Sequence, residues 1–294
     1  MKAIKLDGNA ILPEGCSVAL GNFDGFHKGH ARLLLEAKLH GQFSGALLIS
    51  PSYDELFCHS KVLMGLDDKL RFLSSFGIDF AFIIESDEDF FALDKQGFMS
   101  RYLDALHPDS LIVGEDYTFA SKGEGTPSDL RSRYKVYVVR TLLEGDRKVS
   151  STWIRECLRE GEVKKAWSLL GHPYEVVGKS VHGRHLGTGI GFPTCNLRLA
   201  YDYLLPKQGV YAGIAYLLGK PYKAMINVGS NPTVGGEDNH IEIHLLDYDG
   251  GDSYGYTVYC DFLHFVRGER RFASLEDLKK QLKKDKQTIY ELLQ

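Results

Sequence analysis

Short apolar runs alternate with amphipathic segments through the first half of the chain. The runs extend over four or five residues and are apolar apart from a first serine in two of them, as in strands that are covered on both faces. They are Ser17–Leu20, Ala46–Ile49, Phe80–Ile84, Ser110–Val113 and Val136–Val139. The segments between them carry apolar residues at helical spacing over Ala31–Leu39, Asp67–Phe76 and Lys95–Leu106. Because helical crossovers join parallel strands, this pattern predicts an open, doubly wound α/β domain with a parallel sheet.

The pattern changes after Gly171-His172-Pro173, which interrupts a helical region. That region is a predicted helical pair, Thr152–Glu160 and Val163–Leu170. The runs that follow are half apolar and are separated by Gly-, Pro- and Asn-rich turns: Tyr174–His182, Val210–Tyr216, Tyr222–Val228, His240–Leu245 and Tyr256–Phe265. They predict a small antiparallel β-barrel that ends in an amphipathic helix starting at Leu275. We therefore expect two domains, residues 1–172 and 173–294.

Composition narrows the classes of protein that fit. The chain has 294 residues, enough for two cores, and its net charge of −4 argues against a nucleic-acid binder that relies on a broad basic surface. The five cysteines are far apart, which favours buried free thiols in a reducing cytoplasm over disulfides or a zinc site. Neither a signal peptide nor an apolar stretch of about 20 residues is present, so we expect a soluble, cytoplasmic protein without a membrane partner.

The turn Gly21–His30, GNFDGFHKGH, carries the strongest chemical signal. It follows the apolar run Ser17–Leu20 and leads into a predicted helix, at the sheet edge where α/β proteins bind ligands. The entry of a helix offers unpaired N–H groups and the positive end of its dipole to a phosphate. His27, His30 and the lysine between them point to stabilisation of a phosphate that gains charge in a transition state.

Two later segments reach the same edge of the sheet. Val113–Phe119 offers a glycine, an acceptor in Asp116 and aromatic rings that suit a flat ligand. Val149–Arg155 offers hydroxyls and an arginine that suit a di- or triphosphate. Taken alone, the first segment favours a turn with core aromatics, and the second favours a helix cap with a surface arginine.

The barrel half carries two further signals. Gly187–Asn196 is a glycine-dense loop that could wrap phosphates and supply oxygen ligands to Mg²⁺. Ile241–Leu245 alternates, so Glu242 lies on the face opposite to the apolar residues. The pattern alone favours Glu242 in solvent, whereas a ligand bound at this barrel would make it a general base.

Together these motifs resemble the bacterial bifunctional riboflavin kinase/FMN adenylyltransferase (FAD synthetase) family. The first half has the order of the nucleotidylyltransferase superfamily, with His-x-Gly-His, Gly-x-Asp-aromatic and Ser-Ser-Thr-x-x-Arg segments. The second half contributes the remaining motifs: Val181–Gly183, Gly191–Asn196, Gly209–Tyr211, Asn227–Thr233, Glu242–Asp247, Tyr254-Gly255 and Arg267-x-Glu269. The resemblance covers nearly the whole chain.

The resemblance implies that the first domain transfers AMP from ATP to FMN, giving FAD and pyrophosphate. It assigns transition-state stabilisation to His27 and His30, and catalytic contact with the phosphates to Arg155. It places the rest of the ATP site at Gly21, Asn22, Phe23, Asp24, Gly29, Ser150, Ser151 and Thr152. It places the nucleotide or flavin cleft at Gly114, Asp116 and Phe119.

The resemblance implies that the barrel phosphorylates the ribityl 5′-hydroxyl of riboflavin to give FMN. Glu242 is then the general base, because a neutral hydroxyl must lose a proton. Thr194 and Asn196 would bind Mg²⁺, and Arg267 and Glu269 would lie near the flavin. Phosphate-binding glycines in the barrel would be Gly183, Gly187 and Gly191. The implied ligands are riboflavin, FMN, FAD, ATP and Mg²⁺.

Four departures from the family pattern keep alternatives open. Residues 48–53 read LISPSY in place of Thr-Phe-x-Pro-His-Pro, and Trp153 replaces an arginine. Ala120 replaces a glycine, and Thr188 replaces an arginine in the kinase loop. The alternatives are an adenylyltransferase without kinase activity and a flavin-binding regulator without turnover.

Overall fold

A computed structural model describes residues 1–6, 14–181, 194–233, 236–248 and 254–294, with side chains omitted at 230–233 and 236–239. The chain divides into two compact units, Met1–Ser151 and Thr152–Gln294. The predicted division after residue 172 stays a prediction. Of the predicted site residues, Gly183, Gly187 and Gly191 lie outside the described residues, as does Thr188.

The first unit contains a six-stranded sheet in which every pair of neighbouring strands is parallel. Its strands are β1 (Lys2–Lys5), β2 (Cys16–Leu20), β3 (Phe43–Ser50), β4 (Phe80–Glu85), β5 (Ser110–Gly114) and β6 (Val136–Val139), in the order β1-β4-β3-β2-β5-β6. The chain progresses to one side from β2 and then returns to β5 on its other side. The point where the strand order reverses therefore lies between the carboxyl ends of β2 and β5, where such sheets bind ligands.

Helices cover both faces of this sheet. They are α1 (Lys28–His40), α2 (Tyr53–Cys58), α3 (Leu66–Phe76), α4 (Glu88–Ala92), α5 (Lys95–Phe98), α6 (Asp104–Leu106) and α7 (Pro127–Arg131). A π-helical stretch, Met99–Leu103, links α5 to α6, and a 3₁₀ turn covers Ser121–Gly123. Alternate residues of β2 enter opposite cores, since Val18 and Leu20 pack on one face and Ala19 on the other. The predicted doubly wound domain is confirmed.

A small hairpin and a helical pair follow the sheet. The hairpin joins β7 (Leu143–Glu144) to β8 (Arg147–Lys148) in antiparallel register. The helices are α8 (Ser151–Glu160) and α9 (Val163–Leu170), close to the predicted pair. Gly171 ends α9 with φ of 90°, a left-handed conformation that a glycine adopts without strain.

The second unit contains a closed barrel of six antiparallel strands. They are β9 (Tyr174–Val181), β10 (Cys195–Leu199), β11 (Gly209–Leu217), β12 (Lys220–Thr233), β13 (Gly236–Leu245) and β14 (Thr257–Arg267), in the order β10-β13-β12-β11-β14-β9. The terminal helix α10 (Leu275–Leu292) begins at the Ser274 N-cap, and Ile289 packs with Val210 and Met225 outside the barrel. The predicted barrel and terminal helix are confirmed, and β10 is a strand where we predicted the end of a loop.

Cysteine placement agrees with the prediction at four positions. Cys16, Cys157, Cys195 and Cys260 are buried free thiols. Cys58 is also free but is exposed, so the expectation of burial is wrong there. Within the described part of the chain, no helix combines the length and hydropathy needed to cross a bilayer.

Candidate functional sites

Two buried phenylalanines shape the turn after β2. Phe23 and Phe26 have φ of 51° and 43°, and Gly25 between them has φ of 85°. Both phenylalanine rings are fully buried, and their centroids are 5.2 Å apart. Burial of the two rings supports a backbone conformation that non-glycine residues rarely adopt. The ring of Phe23 therefore belongs to the core, which leaves its backbone as the part that could face a ligand.

Asp24 fixes the turn to a neighbouring loop. Its Oδ1 accepts hydrogen bonds from the backbone N–H groups of Leu63 (2.9 Å) and Met64 (3.2 Å). The hydroxyl of Ser151 donates to the Asp24 carbonyl at 2.7 Å. These contacts fix the turn to the loop at residues 63–64 and to the start of α8.

His27 and His30 lie together at the start of α1. Their rings stack with centroids 3.7 Å apart and planes inclined by 16°. His27 is the N-cap, and its Nδ1 accepts the backbone N–H of His30 at 3.3 Å. In the neutral ring, an accepting Nδ1 leaves the proton on Nε2, which can then donate to a ligand. The structure thus brings the two predicted catalytic histidines into one pair.

Gly29 allows this arrangement by its lack of a side chain. A Cβ built on Gly29 would lie 3.0 Å from both Cε1 and Nδ1 of His27 and 3.9 Å from the carbonyl oxygen of Val149. A side chain at position 29 would therefore require the His27 ring to shift by a few tenths of an ångström. Close approach, rather than an unusual φ, explains this glycine.

Burial and nearby lysines keep the histidine pair neutral. Burial lowers the pKa of His27 to about 4, and Lys148 contributes to the shift. Burial also lowers the pKa of His30 well below its ordinary value, with further contributions from His27, Lys69 and Lys148. The Nδ1 of His30 is buried and has no hydrogen-bond partner among the described residues. Such an atom is available to a ligand that enters the turn.

Lys69 is a cation that sequence reasoning missed. It lies on α3, is only 4% exposed, and donates from Nζ to the carbonyl oxygen of Asn22 at 3.1 Å. A buried lysine in contact with the turn Gly21–His30 makes the local potential more favourable for anions. Helical spacing alone could not distinguish it from a surface lysine of an amphipathic helix.

The segment after β5 divides between the site and the core. Asp116 is exposed and forms an ion pair with Lys148. Sequence reasoning pointed to Asp116 but missed Lys148. Phe119 is 6% exposed, and its ring packs 5.2 Å from that of Phe98. A Cβ on Gly125 would lie 2.5 Å from the Phe119 ring, so this ring is enclosed. The surroundings of Phe119 favour a role in the core over direct contact with a flavin. This agrees with the alternative interpretation of the segment, a turn with core aromatics.

Residues 48–53 contain a helix start where the family pattern has a histidine. Ser52 is the N-cap of α2, and its hydroxyl accepts the backbone N–H of Glu55. The Glu55 carboxylate accepts the Ser52 backbone N–H at 2.8 Å, which completes a capping box. The capping box therefore explains the serine at position 52 without reference to a ligand.

The predicted phosphate-binding segment Ser150–Arg155 runs into α8. The helix begins at Ser151, and Arg155 follows one turn later. Trp153, which replaces an arginine of the family pattern, lies with its ring 5.0 Å from Nζ of Lys165. A cation–π contact of this kind stabilises the helical pair and accounts for the tryptophan locally.

The barrel places Glu242 between two amides. In the strand register, Glu242 pairs with Asn196 of β10 and with Asn227 of β12, so the three side chains share one face. All three are half-buried, whereas their strand neighbours such as Ile241 and Ile243 are buried inside the barrel. Glu242 thus lies outside the apolar interior but within a polar row. Sequence reasoning assigned roles to Asn196 and Glu242 but none to Asn227, which it quoted only as part of a family motif, because cross-strand pairing is not visible in a linear pattern.

Two buried polar atoms in this row lack partners among the described residues. They are Oδ1 of Asn196 and Nδ1 of His240. His240 precedes Glu242 by two positions on the same strand face, and its Nε2 lies 3.8 Å from the Glu242 carboxylate. A Cβ on Gly229 would lie 2.8 Å from Oε1 of Glu269, so that carboxylate also reaches this face. Thr194, the other predicted Mg²⁺ ligand, directly precedes β10 and is half-buried.

Arg267 has a structural partner at the end of β14. Its Nε lies 2.9 Å and its second terminal nitrogen 2.8 Å from Oδ2 of Asp285 on α10. Gln281 donates to the other carboxylate oxygen at 2.7 Å. The Arg267 and Asp285 side chains are 11% and 2% exposed, so this is a buried, bidentate ion pair. Arg267 therefore fixes the terminal helix to the barrel.

Comparison with known proteins assigns both halves of the chain. A riboflavin kinase family model matches residues 170–293, and an FAD synthetase model matches residues 10–153. The bifunctional riboflavin kinase/FMN adenylyltransferase of Escherichia coli strain K12 is 37% identical over 292 residues, covering 95% of this chain and 93% of that protein. The Listeria monocytogenes protein of the same name is 35% identical, covering 92% and 90%.

A solved structure extends the likeness to the whole fold. The crystal structure of a Streptococcus pneumoniae protein, described as a macrolide-efflux protein, has a TM-score of 0.87 at 31% identity and covers 98% of both chains. The two family models and the full-length relatives agree with the motifs quoted above. This chain therefore belongs to the bifunctional riboflavin kinase/FMN adenylyltransferase family.

Proposed function

We propose that the chain makes FAD in two ATP-dependent steps, with a separate site for each. The barrel phosphorylates riboflavin to FMN, and the α/β unit adenylylates FMN to FAD with release of pyrophosphate. The observation that carries this proposal is the contrast between the sites. The barrel holds a carboxylate between two amides, whereas the turn before α1 holds neutral imidazoles at a helix entry. Each set of groups suits one of the two reactions.

Adenylyl transfer needs positioning and charge stabilisation more than a base. A phosphate oxygen of FMN attacks the α-phosphorus of ATP, and the bond from that phosphorus to the departing pyrophosphate breaks. The nucleophile is already anionic, so no proton has to be removed. His27 donates from Nε2 to a phosphate oxygen, and His30 lies beside it at the helix entry. Neutral imidazoles serve this purpose as hydrogen-bond donors without protonation.

Phosphorylation of riboflavin needs a proton acceptor. The 5′-hydroxyl oxygen attacks the γ-phosphorus of ATP, the bond to ADP breaks, and Glu242 takes the hydroxyl proton. Asn196 and Asn227 flank the carboxylate in register and can orient it through their amides. His240 and Glu269 line the same face and complete its polar surroundings.

Mg²⁺ fits the donor atoms at this face. The ion prefers oxygen ligands, and Oδ1 of Asn196 is a buried oxygen without a partner among the described residues. Asn196 and Thr194 would hold the ion, which when bound neutralises the charge of the ATP phosphates. The phosphate contacts of Ser150, Ser151, Thr152 and Arg155 rest on the family resemblance and stay part of this proposal. So do flavin contacts of Gly114, Asp116, Arg267 and Glu269.

The proposed partners are small molecules: riboflavin, FMN and ATP. The net charge of −4 argues against a broad basic surface for nucleic acid. We place the protein in the cytoplasm, because its substrates include ATP and its free cysteines are spread along the chain.

Two incubations test the proposal. The full chain is given riboflavin with Mg-ATP, or FMN with Mg-ATP, and the flavins are separated by chromatography. We expect FMN and FAD from the first mixture and FAD from the second. Riboflavin left unchanged would refute the kinase assignment, and FMN left unchanged would refute adenylylation.

Two variants assign the sites. His30→Ala should abolish FAD formation from FMN and spare FMN formation from riboflavin. Glu242→Gln, which keeps the shape of the side chain but removes the base, should do the reverse and lower kcat of the kinase step by at least about 100-fold. A folded His30→Ala protein that lost both activities would contradict two separate sites, and a normal kinase rate in Glu242→Gln would exclude that residue as the base.

A further inference from the structure

Apart from the exposed Lys28, the adenylylation turn offers neutral donors rather than positive charge. His27 and His30 are neutral at pH 7, since burial lowers the pKa of both. Lys69 is only 4% exposed, and it is held on the carbonyl oxygen of Asn22. Pyrophosphate leaves this site with additional negative charge, and stabilising it calls for a cation that can touch the departing oxygens.

Lys148 belongs to a segment that lies along the turn of the histidine pair. It ends strand β8, and the following residue, Val149, has its carbonyl oxygen 3.9 Å from the position that a Gly29 Cβ would occupy. Two residues further on, the Ser151 hydroxyl bonds to the Asp24 carbonyl at 2.7 Å. The segment 148–151 therefore runs along the turn 24–29. The positive charge of Lys148 also contributes to the lowered pKa of both imidazoles.

The present partner of Lys148 is easily exchanged. Its ammonium group pairs with Asp116 of the segment after β5, and the two side chains are 45% and 58% exposed. An ion pair in that much water adds little stability, because solvent screens the charges and ordering two side chains costs entropy. A triphosphate carries several charges where Asp116 carries one, so it competes well for the same ammonium group.

We propose that Lys148 is a further catalytic residue of the adenylylation site, which leaves Asp116 and contacts the phosphates of bound ATP. This inference rests on the proposed function of the first unit. In the free protein Asp116 holds the lysine at the site, and in the ATP complex the ammonium group donates to the triphosphate. The role differs from that of Lys69, which stays on the backbone of the turn.

Steady-state kinetics of the full chain test the role of Lys148. ATP is varied at saturating FMN, and the appearance of FAD gives kcat and KM. We expect Lys148→Met to lower kcat/KM for ATP by about 10- to 100-fold, the effect of losing one charge-assisted hydrogen bond. Lys148→Arg should keep most of the activity. Arg147→Met is the matched control, since it removes a neighbouring exposed cation from the same strand, and it should behave like the wild type.

A double variant separates a phosphate contact from simple neutralisation of Asp116. If Lys148 only balances that carboxylate, Lys148→Met combined with Asp116→Asn will regain wild-type kinetics, and the proposal is overturned. If Lys148 contacts phosphate, the double variant stays as impaired as Lys148→Met. Asp116→Asn alone is measured beside these variants at saturating FMN, so that its effect on the flavin is counted separately from that of Lys148.

Phosphorylation of riboflavin by the same protein serves as an internal standard. Lys148→Met should keep the wild-type rate of FMN formation, and an equal fall of both activities would overturn the specific role. Wild-type kinetics of FAD formation in Lys148→Met would also overturn it. Absence of FAD formation in the wild type would instead refute the proposed function itself, so the two failures are distinguishable.

Discussion

Replacing Asp285 with alanine should loosen the terminal helix of the barrel unit. The substitution removes the carboxylate that accepts three hydrogen bonds from Arg267 nitrogens and one from Gln281. Their lengths are between 2.7 and 3.1 Å. The guanidinium would remain in a place where its side chain is only 11% exposed. Water cannot fully replace the lost partner there, so the buried charge becomes an uncompensated cost.

The expected loss of stability is about 3 kcal/mol. Breaking a buried ion pair by removing one partner costs about 3–5 kcal/mol. The lower end applies here because Arg267 keeps a hydrogen bond to the Gly268 carbonyl at 3.0 Å and lies 5.8 Å from the Phe272 ring. The neighbouring Lys286 offers a matched control on the same helix. Its contact with Asp247 is 3.7 Å long and exposed, so Lys286→Ala should cost under about 1 kcal/mol.

Tryptophan fluorescence gives an assay that is specific to this unit. The chain has two tryptophans, Trp153 and Trp167, and both belong to the unit Thr152–Gln294. Urea unfolding followed by their emission therefore reports the free energy of unfolding of the barrel unit. Far-UV circular dichroism adds the contribution of the other unit.

The double variant Arg267→Met with Asp285→Leu makes the test strict. Two apolar side chains leave no unpaired charge, so stability should return to within about 1 kcal/mol of the wild type. A loss under about 1 kcal/mol for Asp285→Ala would refute the reasoning. So would a double variant less stable than Asp285→Ala, since the cost would then come from packing rather than from charge.

Three further predictions concern the turn before α1. The first unit should lose stability as the pH falls from about 6.5 towards 4. In this range His27 of the unfolded chain binds a proton, whereas folded His27, with its pKa of about 4, stays neutral. Urea unfolding followed by circular dichroism at several pH values measures the loss. Gly29→Ala should lower kcat of FAD formation by roughly 10-fold or more, since its Cβ displaces the His27 ring, and steady-state rates measure the loss. Lys69→Met should lower kcat/KM of FAD formation by roughly 10-fold, because the Asn22 carbonyl loses a charged donor.

Each of these predictions has its own control. His27→Asn keeps a helix N-cap without a titrating ring, so the acid dependence should become weaker, and an unchanged slope would assign it to other groups. FMN formation from riboflavin should remain normal in Gly29→Ala and Lys69→Met. If Gly29→Ala made FAD at the wild-type rate, the position of the His27 ring would not matter. Lys69→Arg should recover activity if charge is what the Asn22 carbonyl requires.

The fold could be predicted where the hydrophobic pattern of a segment corresponds to its burial in the structure. The inner strands of the parallel sheet are apolar on both faces, so their burial can be predicted directly from the sequence. β1 was missed because it lies at the sheet edge, where only Ile4 of Lys2–Lys5 is buried. β10 was missed because its first residues belong to the glycine-dense sequence that predicts a loop, although Cys195 and Leu197 alternate correctly with Asn196 and Arg198.

The candidate sites were predictable only where one segment carries the chemistry. His27 and His30 come from a single turn, so their pairing was visible in the spacing. Lys148 and Asp116 meet across the sheet edge from segments 32 residues apart, and no periodicity reports such contacts. The ring of Phe119 suits a flavin in isolation, yet it packs in the core near Phe98, so its role at the flavin stays a prediction. Tertiary packing decides whether an aromatic residue is available to a ligand.

The distribution of cysteines gives this protein one chemically accessible thiol. A thiolate is the reactive form, and burial raises the pKa of Cys16 to about 12 and of Cys195 to about 11. Cys157 and Cys260 are also enclosed, whereas Cys58 is exposed at the end of α2. A maleimide dye would therefore attach at Cys58 in the native protein without replacement of the other four cysteines. Such a dye would lie just beyond the capping box at Ser52, and its emission could follow that segment of the chain while the enzyme turns over.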